Sequence, residues 1–121
     1  MSQTPELIVA YVTEGKIEGY HIVAFGEEKN GAKQATAATD KLIGISTRVP
    51  KDPGEHVDVV RSGLYPVMYG AEIKRGDCLT TDAQGRAVKA TAKQAYIGFA
   101  EEDGAEGDLG SLFIAPGFAA E

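Results

Sequence analysis

A chain of 121 residues with 43% hydrophobic and 25% charged residues has room for one domain, or for two half-sized units sharing one core, and is not a disordered polypeptide. Its formal net charge of −6, with no basic cluster beyond Lys74-Arg75, argues against a role in binding phosphate or nucleic acid. A single cysteine, Cys78, excludes an intramolecular disulfide and a multi-cysteine zinc site, and no run approaches the ~20 apolar residues of a membrane-spanning helix.

Residues 1–6 are polar, contain Pro5 and lack the positive flank and cleavage site of an export signal, so they read as a flexible N-terminal arm on a protein made in the cytoplasm. Leu7 to Val12 is an apolar, β-branched run that reads as a strand, and 1–12 is set apart as arm and strand. Tyr20 to Phe25 is the next strand, closed by the turn signal Asn30-Gly31. Ala32 to Asp40 mixes Ala and Thr with Lys and Gln and reads as irregular to strand. Leu42 to Ser46 is a strand; Pro50 and Pro53 then enforce an exposed loop. Alternation in Glu55 to Val60 turns Val57 and Val59 inward. Leu64 to Tyr69 carries Pro66, which confines it to a sheet edge or a bulge.

From Ile73 onward come Cys78-Leu79-Thr80-Thr81, a turn at Asp82 to Gly85 suited to a type I turn closing into a glycine bulge, and Arg86 to Thr91. Tyr96 to Ala100, an acidic glycine-rich loop from Glu101 to Asp108, and Gly110 to Ala115 complete the pattern. Sliding the chain by 54 residues places Gly31 on Gly85, Ile43-Gly44 on Ile97-Gly98 and Val59-Val60 on Phe113-Ile114 without a gap. The expected fold is therefore all-β: a small barrel or sandwich of two pseudo-repeated units of short strands, about 20–63 and 74–117, within one β-domain over 13–121. Gly44 and Gly98, inside strands, mark a bulge or a close backbone approach, and tight barrel corners explain them better than a ligand contact.

Chemistry is sparse. His21 and His56 have no ligand spacing and no nucleophile to serve, and the acidic loop lacks the order of a calcium loop, so no catalytic residue, metal site or cofactor is expected. The glycines of that loop sit among carboxylates that would repel an anion. Tyr65, Val67 and Tyr69 fall on one strand face, and Tyr is favoured at protein interfaces; packing within the chain explains them equally well. With Leu7, Val9 and Tyr11 of the N-terminal strand they form a set of candidate interface contacts.

The segments Arg75-Gly76-Asp77-x-Leu79-Thr80-x-Asp82-x-x-Gly85-Arg86-Ala87-Val88, Tyr96 to Ala100 and Gly107-Asp108-x-Gly110-Ser111-x-x-Ile114-Ala115-Pro116-Gly117 together resemble the capsid cement (decoration) proteins of tailed bacteriophages. Ala37 to Ile45 and Gly54 to Gly63 resemble the family as well, so the likeness covers most of 20–117. The proline loop and the apolar N-terminal strand depart from the pattern. The resemblance implies a structural virion protein that binds the outer surface of an assembled capsid and stabilises it, without catalysis. It implies the major capsid protein and the chain itself as partners, a homotrimer being favoured over a dimer, and neither nucleic acid nor membrane. The location implied is the capsid surface, after synthesis in the bacterial cytoplasm. A lipoyl- or biotinyl-like carrier barrel is an alternative, weakened by the lack of an exposed lysine hairpin with the right neighbours. A carbohydrate-binding β-module is another, weakened by the absence of Trp.

Overall fold

A computed structural model describes residues 7–91 and 93–118, and all regular structure in them is β-strand. The expected flexible arm, 1–6, lies outside the described residues. Strands β1 (Ile8–Thr13), β2 (Ile22–Phe25), β3 (Gly31–Gln34), β4 (Leu42–Ser46) and β5 (His56–Val60) close into a barrel in the order β1-β3-β2-β4-β5. Strands β6 (Gly63–Met68), β7 (Cys78–Thr81), β8 (Ala87–Lys89), β9 (Ala95–Ala100) and β10 (Leu109–Phe118) form a second sheet in the order β6-β10-β9-β7-β8. β6, the strand with Pro66, is an edge strand, as a residue without an N–H donor requires.

The two sheets are one topology used twice. In the first unit β1 pairs antiparallel with β5 from Ile8↔Val60 to Val12↔His56; in the second, β6 pairs with β10 from Leu64↔Phe113 to Met68↔Leu109. Ile45↔Val60 and Ile22↔Ile45 are matched by Phe99↔Phe113 and Cys78↔Phe99. The barrel closes through the parallel pairs Val12↔Gly31 and Thr13↔Ala32, whereas the second unit has a single parallel bridge, Tyr69↔Ala87, at the matching place. These pairs also correct the gap-free alignment. Ile8 stands with Leu64 and Val23 with Leu79, 56 residues apart; Ala32 stands with Ala87, 55 apart. Gly44 stands with Gly98, 54 apart, and Val60 with Phe113, 53 apart. Each of the three turns after the second strand is one residue shorter in the second unit, and the offset of 54 holds for the fourth strand of each unit alone.

Local chemistry makes the corners. A Cβ on Gly44 would run into the carbonyl of Val60, and one on Gly98 into that of Phe113, so both glycines allow the central strand to press against the last. At Asp82 to Gly85, Gly85 has φ +75 and its N–H reaches Asp82 O at 3.3 Å; the Asp82 carboxylate accepts from the Gln84 and Arg86 N–H groups at 2.9 and 2.8 Å. The segment after β3 bends at Thr36 to Asp40, where the Asp40 carboxylate accepts from the Thr36 and Ala37 N–H groups.

One buried cluster fills the barrel: Tyr11, Ile17, Val23, Ala32, Ile43, Val57 and Val59. A second joins the units. Ile22, Ala24, Ala35, Ile45 and Val60 share it with Val67, Tyr69, Ile73, Leu79, Ile97 and Leu112. β2 and β4 are thus buried on both faces, which is why their sequences read as continuous apolar runs rather than as alternation. Backbone bonds pin the junction: Ile22 N–H donates to Gly85 O at 2.7 Å and Met68 N–H to Tyr20 O at 2.9 Å.

Candidate docking surfaces

The titratable groups are spread among turns. In the acidic loop Asp103 accepts from Arg75 N–H at 2.7 Å, Asp108 from Ala105 N–H at 2.8 Å, and Glu102 from the Ser111 hydroxyl at 3.0 Å. Among the described residues no three His, Cys, Asp or Glu side chains converge to hold a metal ion. The glycines of this loop serve Tyr69: Cβ atoms at Gly104 and Gly110 would fall into its ring, and its hydroxyl donates to Glu102 O at 2.8 Å. Burial, with the nearby Glu102 charge, raises the Tyr69 phenol above its ordinary 10.0, against the effect of a hydrogen bond with Ser111. Glu14 plays the turn-holding role in the first unit. Its two oxygens accept from the Glu27 and Glu28 N–H groups, each at 2.8 Å, and those bonds lower its pKa below the ordinary 4.5.

The six candidate contact residues divide by burial. Tyr11, Val67 and Tyr69 are taken up by the chain's own core. Tyr11 also accepts from Arg61 Nη1 at 3.0 Å. Val9 and Tyr65 are half-buried, and the Tyr65 ring lies 5.9 Å from that of Tyr20, centroid to centroid. Leu7 is exposed at the entry to β1, with its N–H donating to Ser62 Oγ and its carbonyl accepting from Arg61 N–H. β1 pairs with β5 from Ile8 to Val12, and with β3 only at Val12 and Thr13.

A surface not anticipated from the sequence crosses the second unit. Leu64 pairs with Phe113, Phe113 with Phe99, and Phe99 with Cys78, so one transverse row on β6, β10, β9 and β7 carries four side chains side by side. Leu64, Phe113 and Phe99 are 36%, 43% and 36% exposed, while their counterparts beyond Ile8 in the first unit, Val60 and Ile45, are wholly buried. The available signal was apolar residues on both parities of Leu109 to Ile114, with Gly110, Leu112 and Ile114 inward and Leu109 and Phe113 outward.

The fold defines a small all-β protein in which one strand topology is used twice. The chain belongs to the phage cement protein family, whose sequence model matches residues 2–114, and it is a structural protein of the virion. In three dimensions it is similar to the head fiber gp8.5 N base of bacteriophage phi29, with a TM-score of 0.70 and 23% identity over 92% of this chain and 95% of that one. At that identity the likeness establishes the shared fold.

Proposed function

We propose that this protein binds the outer surface of an assembled bacteriophage capsid and stabilises it, without catalysing a reaction. The observation that carries this reading is the cement-family match across nearly the whole chain. Physically, a protein that binds the assembled shell and not its free subunits shifts the balance toward assembly by mass action. In this reading the partners are the major capsid protein and further copies of the chain, a homotrimer being favoured, on the capsid surface after synthesis in the bacterial cytoplasm. The repeats over 20–63 and 74–117 work as one domain, supported by the buried cluster that the two units share.

Of the candidate contacts, Leu7 is the one free to touch the capsid directly, with the half-buried Val9 and Tyr65 beside it; Tyr11, Val67 and Tyr69 contribute by holding the units in shape. The test is co-sedimentation of the purified protein with undecorated capsids. Binding at micromolar concentration is expected, and its absence would sink the reading. Truncation ending at Glu6, together with Leu7→Asp, should weaken capsid binding while leaving the barrel folded, because β1 and its core residues are retained.

A further inference from the structure

We infer that the open edge of β1 at Ile8 and Ala10 takes up an extended segment of the capsid shell as an added β-strand. That segment is uncharged beside these two residues and basic where it reaches Glu27 and Glu28. The inference rests on the proposed function and names one contact within it.

The backbone defines the edge. Thr13 N–H donates to Glu55 O at 2.9 Å, and Leu7 O accepts from Arg61 N–H at 2.7 Å, so the odd-numbered residues of this stretch turn their polar groups toward β5. Val12 N–H donates the other way, to Asn30 O at 2.8 Å. Successive residues of a strand bond on opposite sides, so Ile8 and Ala10 direct their N–H and C=O groups to the same side as Val12. β3 starts at Gly31, opposite Val12, and among the described residues no strand pairs with Ile8 or Ala10 on that side.

The internal duplication shows that this opening is not a general property of the fold. β6 stands in the place of β1, and the pairs Ala10↔Asp58 and Pro66↔Ser111 make Pro66 the counterpart of Ala10. Pro66 has no N–H to offer, and Met68, the counterpart of Val12, gives its own to Tyr20 O. A proline at such a place blunts a sheet edge against added strands. The first unit has alanine there, and its edge keeps both donor and acceptor.

Side chains and charge define the occupant. Ile8, Ala10 and Val12 share the outward face of β1 and are all exposed, which suits an uncharged stretch beside them. Asp58 is exposed on the same face opposite Ala10, and Glu27 and Glu28 are exposed in the turn that leads to Asn30. Lys29 is the one cation of that turn. Arg61, at the other end of the edge, is engaged by the Tyr11 hydroxyl and the Phe25 ring. The field of these carboxylates and of a net charge of −6 attracts a basic segment and repels an acidic one, a second copy of this chain included. In strand addition the main-chain bonds supply affinity, and the alternate side chains supply selectivity.

The experiment is co-sedimentation with undecorated capsids, using the full chain and three variants. Ala10→Pro removes the edge donor and spares the β5 ladder, because Ala10 bonds away from β5. Its capsid affinity should fall about tenfold or more, with unchanged far-UV circular dichroism. Ala10→Val keeps the N–H and should bind like the unaltered protein. Glu27→Lys combined with Glu28→Lys should weaken binding by repelling the basic end of the added strand. Hydrogen exchange provides a measurement needing no substitution: the Ala10 amide should exchange about tenfold more slowly, or slower still, on capsids than in free protein. If Ala10→Pro does not fold, this exchange decides alone. Full binding by a folded Ala10→Pro, an equal loss in Ala10→Val, undiminished binding of the lysine variant, or an Ala10 exchange rate that capsids leave unchanged would each overturn the inference. Slowing of that exchange by protein concentration alone would make a second copy the occupant, and would overturn it too. Absence of capsid binding by the unaltered protein would instead remove the proposed function itself.

Discussion

The ring of Tyr69 occupies the space that a side chain on Gly110 would need. In the first unit the same two places hold Thr13 and Val57, joined by the same ladder positions. The duplicated cores have exchanged volume: small with medium in one, large with none in the other. Gly110→Ala should destabilise the protein by about 1–3 kcal/mol through overpacking. Tyr69→Thr should do so by about 3–5 kcal/mol through the cavity it leaves. Combined as Gly110→Val with Tyr69→Thr, the pair should lose clearly less than the sum of its single changes, measured by urea unfolding. Strict additivity would mean that the two positions do not share space.

Tyr20 and Gly76 turn the same corner. Tyr20 N–H reaches Ser46 O at 3.2 Å, and Gly76 N–H reaches Ala100 O at 2.8 Å, at matching ladder positions. Both have positive φ, +59 and +95, but only one is glycine. A left-handed conformation costs a residue with a side chain roughly 1–2 kcal/mol. The Tyr20–Tyr65 ring pair returns about 0.5–1.5 kcal/mol of that. Tyr20→Gly should therefore leave stability nearly unchanged, while Tyr20→Ala loses the ring and keeps the strain. The unfolding midpoint of Tyr20→Ala should be the lower of the two; the reverse order would show that this corner is not strained.

Two titrations bound the pH range. The carboxylates of Glu14 and Asp40 sit below their ordinary 4.5 and 3.8; for Asp40, burial works in the opposite direction and the Thr36 and Ala37 N–H groups outweigh it. A carboxylate with a lowered folded pKa contributes stability that is complete above its unfolded value and is lost as pH falls through the folded one. Tyr69, raised above 10.0, does the opposite: its contribution is present below that value and is lost as pH rises beyond it. Urea midpoints should thus fall on the acid side beginning near pH 4.5 and again above pH 10. Glu14→Gln should flatten the acid limb and Tyr69→Phe the alkaline one; profiles unchanged in shape would remove these groups as the cause.

The shared cluster sets the cooperativity. Side chains of both units pack in it without a break, so neither unit can expose its face while the other stays intact. Calorimetry should show one transition, with equal calorimetric and van't Hoff enthalpies. Two separable transitions would show that the units behave as independent domains.

Much of this was legible in the residues. Turn punctuation such as Asn30-Gly31 and Asp82 to Gly85, and the Ile-Gly pairs at 43–44 and 97–98, located strands and corners because those geometries admit few residue types. The register drift was not legible, since an alignment without gaps has no place for one-residue losses in successive turns. Nor was the direction of the Tyr65-Val67-Tyr69 face. Alternation shows that three side chains share a face; which face is buried depends on strands far away in the chain. The open row was hidden for the same reason. Val60 and Phe113 carry similar apolar signals, and only the packing of one unit on the other makes the first buried and the second exposed.

Closing each unit with its first strand against its last has a consequence for the order of events during synthesis. Ile8 pairs with Val60, and Gly63 with Ile114, so neither first strand has its antiparallel partner until some fifty residues later have been made. Long-range pairings of this kind raise contact order and slow folding. The nascent β1 must wait with Tyr11 uncovered until β5 leaves the ribosome, and β6 must wait again for β10. Completion of the last strand is therefore the event that commits each half to its native form.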